Sequence, residues 1–345
     1  MPTPTLPETT DPGTTGSRPP VARAPHDFFW AQAAGRVLVR RTAQAVAVAL
    51  AVTVTCFIIV QRLPGDIAFR IAAGRYGYDK VDAAAAAEVR AQTGLDEPAF
   101  DQLAGWILDA VRLDFGTSLV TGAAVTGELG HHLAATLHLA ACALLVSLVL
   151  GAAIGVLAAQ SRGGLLDRLT DVWVAVARAM PPFVLGLVLI IVFSVQLGWV
   201  PAAGHGERGN IVLPALTLAA GLSGLFARVT RDTVVQILDS EQVRFAETKG
   251  LGRHVVLARH VLRNAGVTLV AYVGVQALVL VEGVVVVESL FAWPGLGHAL
   301  VHAVFWRDIP SMQATVLALA LIVVVVSTLV DLAVLALDPR TREVR

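Results

Sequence analysis

The sequence predicts an all-α, polytopic membrane protein on three observations. Of 345 residues, 56% are hydrophobic and 15% charged, with a mean hydropathy of +0.70, far too apolar for an ordinary soluble domain. Apolar runs of about 20 residues or more recur, a length that spans a bilayer core at about 1.5 Å per residue. Basic residues gather in alternate connections between those runs. The runs are read as helices because, in lipid, only helices or closed barrels satisfy the backbone. The 26 basic and 26 acidic side chains balance, so charge gives no sign of a nucleic-acid partner and none is expected. Cys56 and Cys142 both fall inside apolar runs, which argues against a disulfide framework or a metal site.

Residues 1–35 are read as a disordered tail. Their opening stretch, rich in Pro, Thr and Gly, cannot bury a core. It is no signal peptide, since no early apolar region follows a basic start. Residues 36–65 hold the first span: Arg36, Arg40 and Arg41 precede the apolar run 42–63, which stops at Arg62-Leu-Pro-Gly-Asp66. Residues 66–131 are the one sizeable polar segment. Within it Phe100, Leu103, Trp106, Ile107, Ala110 and Val111 recur at helical spacing, predicting a helix with one apolar face. Such a segment either folds on itself or presents a surface to a partner, and both can hold.

Residues 132–338 carry five further spans, six in all. The run 133–160 is rich in small residues (Gly151, Ala152, Ala153, Gly155), which permits close helix approach in lipid. The run 171–197 is interrupted by Pro181–Pro182, and 211–227 continues as helix past Arg228 and Arg231. The runs 265–287 and 312–337 complete the set, and 339–345 forms the C-terminus. The tail, the 161–168 turn, the 228–264 loop and the final Pro339-Arg-Thr-Arg-Glu-Val-Arg345 are Arg-rich, whereas loops 198–210 and 288–311 carry only Arg208 and Arg307. The positive-inside rule therefore puts both termini and the 228–264 loop in the cytoplasm, and 66–131 outside.

The loop's centre, Ser240 to Asn264, reads as helix, glycine break, helix, with Gly250 where a side chain would obstruct the turn. It predicts a compact knuckle offering Phe245, Leu251, Val255 and Val256 to a partner's groove. The residues run Arg244-Phe-Ala-Glu-Thr-Lys-Gly-Leu251 and then Arg259-His-Val-Leu-Arg-Asn-Ala265. In this the chain resembles the first permease subunit of ABC importers in the dipeptide, oligopeptide and nickel group. That subgroup shows a version close to R-T-A-R-A-K-G-L followed by R-H-x-L-R-N-A. Arg244 and Phe245 depart from the general E-A-A signature, while Ala246 and Gly250 keep it. Four more stretches are similar: Arg62 to Asp66, Leu113 to Leu119 (L-D-F-G-T-S-L), Val284 to Gly297 (V-V-V-V-E-S-L-F-A-W-P-G-L-G), and Val330 to Arg340. In the third, Phe291 and Trp293 are read as aromatic anchors at the membrane interface.

The resemblance implies a prokaryotic cell-membrane permease, not itself an enzyme. It would pair with a second, homologous permease subunit to form the pathway, and two ATP-binding subunits would dock on the cytoplasmic side. An extracytoplasmic solute-binding protein would deliver the solute, by default a di- or oligopeptide, with nickel or another small solute as the alternative. No cofactor is expected in this chain, since no G-x-x-x-x-G-K-S/T phosphate loop occurs and ATP would be held by the partners. The coupling residues would be Arg244, Phe245, Ala246, Glu247, Lys249, Gly250 and Leu251. Intramembrane polar residues suggest pathway lining by Glu282, about 9 Å deeper than Glu288 along a helix, and by Gln276 on a different helical face. A self-sufficient transporter driven by an ion gradient is the competing class, but the expected paired charges and inverted repeat are not evident. His131, His132, His138, His298 and His302 are read as interfacial residues.

Overall fold

The structure, a computed structural model, describes residues 26–93, 98–206, 209–250, 252–256 and 261–337; the side chains of Glu247 and Glu282 lie outside that description. Among the described residues there is no named strand, and thirteen α-helices follow one another. Five of them are long and apolar enough to cross a bilayer: α1 (His26–Arg62), α5 (Val125–Gln160), α8 (Val212–Leu238), α11 (Arg263–Leu290) and α13 (Ile309–Leu337). A sixth crossing is broken. α6 (Leu165–Ala179) and α7 (Pro182–Leu189, continued by a π-helical stretch Ile190–Gln196) meet at 106°. The run read as one interrupted span is thus two segments, and the first begins at Leu165. Met180 is extended (φ −92°, ψ 119°) and Pro182 opens the next helix. A proline excludes helical geometry from the residue before it and brings no amide donor, which accounts for the break.

The bundle is built on α5 and α8. A Cβ placed at Gly151 would lie 2.4 Å from the Phe226 Cβ and 2.7 Å from the Ser223 carbonyl oxygen. At Gly155 it would lie 2.4 Å from the Ala227 carbonyl oxygen. These helices touch backbone to backbone, which only glycine allows. The first halves of α5 and α8 share an apolar cluster with α11, in which Leu139, Leu213, Leu222, Leu280 and Phe291 are buried. α13 packs along α1 and also meets α11. At the basic end Arg41 of α1 donates to Asp331 of α13 at 2.6 and 2.9 Å.

At the opposite end the polar segment has its own small core. Ala68, Ile71 and Ala72 of α2 (Ile67–Tyr76) pack on Val89 of α3 (Ala83–Thr93). Asp66 caps α2, accepting from the Ala68 amide at 2.9 Å, and it receives Arg90 from α3 at 2.9 Å. α4 (Ala99–Arg112) meets α1 through Trp106, edge-on to Phe57 at 5.2 Å. Its apolar face is narrower than the sequence pattern implied. Leu103, Trp106, Ile107 and Ala110 are half-buried, but Phe100 and Val111 are 79% and 77% exposed. One edge of the apolar face, at 103, 106/107 and 110, is half-buried, with Trp106 against α1, and the other edge is left open.

The seam predicts its own sensitivity. Gly155→Ala is expected to cost about 1–3 kcal/mol by overpacking, read as a lower thermal-unfolding midpoint in detergent. Gly127→Ala, with nothing within 4 Å of its new methyl group, is expected to leave the midpoint unchanged.

Candidate functional site

The basic end carries the knuckle foreseen in the sequence. α8 runs through Arg228 and Arg231 to Leu238; α9 (Glu241–Thr248) and the short α10 (Arg253–Val256) follow before α11. Gly250 sits between them at φ +77°, a left-handed conformation that glycine adopts without a Cβ penalty. Ala246 faces inward at 4% exposure and joins Val234, Val243, Val256, Val261 and Ala159 in one apolar cluster. The knuckle is therefore welded to the ends of α5, α8 and α11.

Phe245 faces the other way and is 61% exposed. The Lys249 ammonium lies 4.4 Å from its ring centroid, and the Thr248 hydroxyl donates to its carbonyl at 2.8 Å. Such a cation–π contact at an exposed site contributes about 0.5–1 kcal/mol, enough to bias the ring's orientation. Arg244 is exposed and pairs with Glu241 at 3.3 Å. Of the apolar residues expected to meet a partner, Phe245 and Val255 are exposed and Val256 is buried at 2%, because it closes the cluster under α9. Leu251 and the Glu247 side chain lie outside the described residues.

The two pathway candidates occupy α11. Gln276 is buried with Leu280 and Val284, and its amide nitrogen has no hydrogen-bond partner among the described residues. By register, position 282 falls with Val275, Val279 and Val286, all exposed, on another face. The Glu282 side chain itself lies outside the description.

Sequence reasoning missed a lock at the opposite end. Glu288 has 0% exposure and accepts from the Thr136 hydroxyl at 2.7 Å and from the Gly297 amide at 2.7 Å. The Thr136 oxygen accepts in turn from the Leu296 amide at 2.8 Å. The carboxylate thus holds the start of α12 (Leu296–Trp306) against α5 and α11. A Cβ at Gly295 would lie 2.0 Å from its Oε1, so the glycine makes room for the cap. Phe291 and Trp293 are not interface anchors: they are buried at 1% and 5%, and the Trp293 indole donates to the Ala135 carbonyl at 3.0 Å. The turn folds inward to follow Glu288 and takes the rings with it. The signal was a carboxylate in an apolar run nine residues before a glycine, a group that needs a partner once buried.

α12 ends in a second tie. Arg307 donates to the Gly65 carbonyl at 2.9 Å and to the Pro64 carbonyl, while Asp308 accepts from the Leu119 amide at 3.0 Å and the Ser118 hydroxyl. Burial pushes the Arg307 guanidinium below its usual range, nearby Arg70 adds to this and Asp66 opposes it. The stretches at 62–66 and 113–119 are thereby pinned to one corner. His132 donates from Nδ1 to the Pro294 carbonyl at 2.8 Å, and the His298 and His302 rings lie 4.5 Å apart. Among the described residues no group of three or more potential metal ligands gathers.

With this geometry in view, residues 151–343 match the family described as the binding-protein-dependent transport system inner membrane component. The chain belongs to that family. It is 37% identical over 293 residues to a glutathione transport system permease protein of Pectobacterium atrosepticum, covering 85% of this chain and 94% of that one. To a Brucella abortus permease protein named for a peptide transport system it is 34% identical, covering 89% and 98%. In fold it is similar to the solved MetNI methionine ABC transporter in an inward-facing conformation, with a TM-score of 0.53, 19% identity and 61% and 96% of the two chains covered. The permease is thus a multi-pass membrane subunit of an importer that works with other ABC subunits and is not itself an enzyme.

In the permease, Glu288→Ala strips the Gly297 amide and the Thr136 hydroxyl of their acceptor. The expected cost is about 1–3 kcal/mol, seen as a lower unfolding midpoint in detergent. Thr136→Val, which also orphans the Leu296 amide, should move it in the same direction.

Proposed function

We propose that this permease serves an importer of di- or oligopeptides, glutathione-like tripeptides included, and that its knuckle is the dock for the ATP-binding subunits. The reading of the solute rests on the names of the relatives. The reading of the dock rests on one observation: α9 exposes Phe245 on one side while Ala246 on the other is buried in the cluster that ends α5, α8 and α11. A partner pressing on Phe245 would push on the spans with no slack between. Arg244, Glu247, Lys249 and Leu251 would frame the contact, and Gly250 would set its turn.

The Arg-rich connections favour a cytoplasmic position for this end and for both termini. Two ATP-binding subunits, one on this chain and one on a second homologous permease, would then close on ATP and switch access to a pathway between the permeases. The α11 face of Val275, Val279 and Val286 would meet that pathway, with Glu282 placed by register to receive a peptide amine. Gln276, its amide nitrogen without a partner among the described residues, is the second polar candidate on the same helix. The segment of α2 to α4, on the outer side in this reading, offers Phe100, Leu108 and Val111 to the solute-binding protein.

The test is a pull-down of the tagged chain from mild-detergent membranes of its native cell, with the eluate assayed for ATPase. Wild type is expected to retain an ATP-binding subunit. Phe245→Asp and Gly250→Pro are expected to lose it while inserting normally. Wild type that elutes without ATPase, or a Phe245→Asp chain that keeps it, would contradict the dock.

A further inference from the structure

The basic end holds a part-buried ion pair that lies outside both the knuckle and the stretches that carry the family resemblance. Asp167 stands in the first turn of α6, yet it is only 5% exposed. Arg231 of α8 grips it with two prongs: Nε donates to Oδ1 at 2.8 Å and Nη2 to Oδ2 at 2.9 Å. The Gly163 amide also donates to Oδ2, at 2.9 Å. A guanidinium fork on a carboxylate fixes orientation as well as distance. Further along α8, Arg162 of the α5–α6 turn makes a second fork on Asp239 at 2.6 and 3.2 Å. That pair is exposed and contributes little alone. The Asp167 pair is the shielded one.

Two further contacts lay α6 along α8. A Cβ on Gly224 would come 3.3 Å from the Val174 Cα, and the Trp173 indole donates to the Ser223 hydroxyl at 3.3 Å. Since α8 also ends in the knuckle's apolar cluster, α9, the lower part of α8 and α6 are joined as one packed body. Beyond α6 the chain turns by 106° into α7. Beside that turn lies an apolar cavity of about 440 Å³, lined by Met180, Pro181 and Leu185 from the bend, Gly221 and Leu225 from α8, and Val279 from α11. A close-packed body transmits displacement, whereas a prolyl break, where the helical hydrogen-bond ladder is interrupted, is a point at which the chain can bend.

We propose that the Asp167–Arg231 fork makes α6 travel with the knuckle, so that a push on α9 is delivered to the Met180–Pro181 bend and turns α7 against α8 and α11. This rests on the knuckle being the ATPase dock and adds the link that follows it. Asp167 and Arg231 act as positioning residues and need touch no solute. The fork and the Gly163 amide together satisfy a carboxylate held at 5% exposure in a helix start, and two parallel bonds resist both sliding and rotation of α6 on α8.

The experiment uses the assembled complex purified from the native cell and placed in liposomes. Spin labels are set on exposed positions: Gln242 of α9, Leu169 of α6 and Val188 of α7. Distances are read before and after trapping with ATP and vanadate. In wild type the α9–α6 distance is expected to hold while the α6–α7 distance shifts. In Asp167→Asn the fraction of molecules showing the α6–α7 shift is expected to fall about tenfold, the scale on which a network residue tunes coupling. Arg231→Lys, which keeps the charge but not the fork, is expected to retain part of it.

ATPase retention and unfolding midpoint identify which variants are folded and assembled. A folded Asp167→Asn complex with the full wild-type shift overturns the proposal. If that variant does not assemble, a full wild-type shift in Arg231→Lys overturns it by the same reading. A wild-type complex whose α6–α7 distance stays fixed on trapping also overturns it. A wild type that retains no ATPase overturns the dock itself, which separates the two failures.

Discussion

The approach of α5 to α8 at Gly151 and Gly155 is the contact on which the rest of the bundle depends. In lipid no hydrophobic force draws one apolar helix to another, so association comes from close van der Waals contact and from polar groups that find partners. Two glycines one turn apart remove the side chains that would hold the backbones apart, and Phe226, Ala227 and Thr230 fill the groove they leave. α8 becomes a fixed post. Its first half anchors α11 and α7, its second half anchors α6, and its end carries the knuckle. A looser seam would leave the knuckle attached to a helix free to shift in lipid.

The polar groups follow the same logic. Those with partners are concentrated toward the two ends of the bundle, where each tie joins elements far apart in sequence. Arg41–Asp331 closes α1 on α13, and the forks from Arg231 and Arg162 fasten the α5–α6 turn to α8. At the other end Glu288, Arg307 and Asp308 hold α12 and the polar segment in place. Between the ends Gln276 stands out, a buried amide whose nitrogen is unpaired among the described residues. Burying such a group in hydrocarbon is unfavourable, and it sits on the packed side of α11, whose other face is exposed.

Much of this was legible in the residues. Span length, proline and glycine stops, and the small residues of α5 each act through local geometry, so six crossings and the α5 contact face could be read directly. The knuckle was legible for the same reason, since a glycine at 250 admits the left-handed turn that separates α9 from α10. Exposure of individual aromatic residues was less so. Phe291 and Trp293 suit a membrane interface by chemistry, but they are buried because Glu288 pulls the turn inward. Phe100 and Val111 carry the right period for a buried face, yet they lie on the edge of it that stays exposed.

The sequence by itself determined the class of the molecule, its order of helices and the place of its turns, because each depends on hydropathy and backbone preference within a few residues. Only the tertiary structure decided which charged residues are partners. Asp167 and Arg231 are 64 positions apart, and Thr136 and Glu288 are 152 apart. Nothing local marks such pairs, since an aspartate at a helix start and an arginine in a basic stretch are ordinary features of a surface. They meet because the glycine seam brings α5 and α8 together and so fixes which side chains, from distant parts of the chain, face each other at either end.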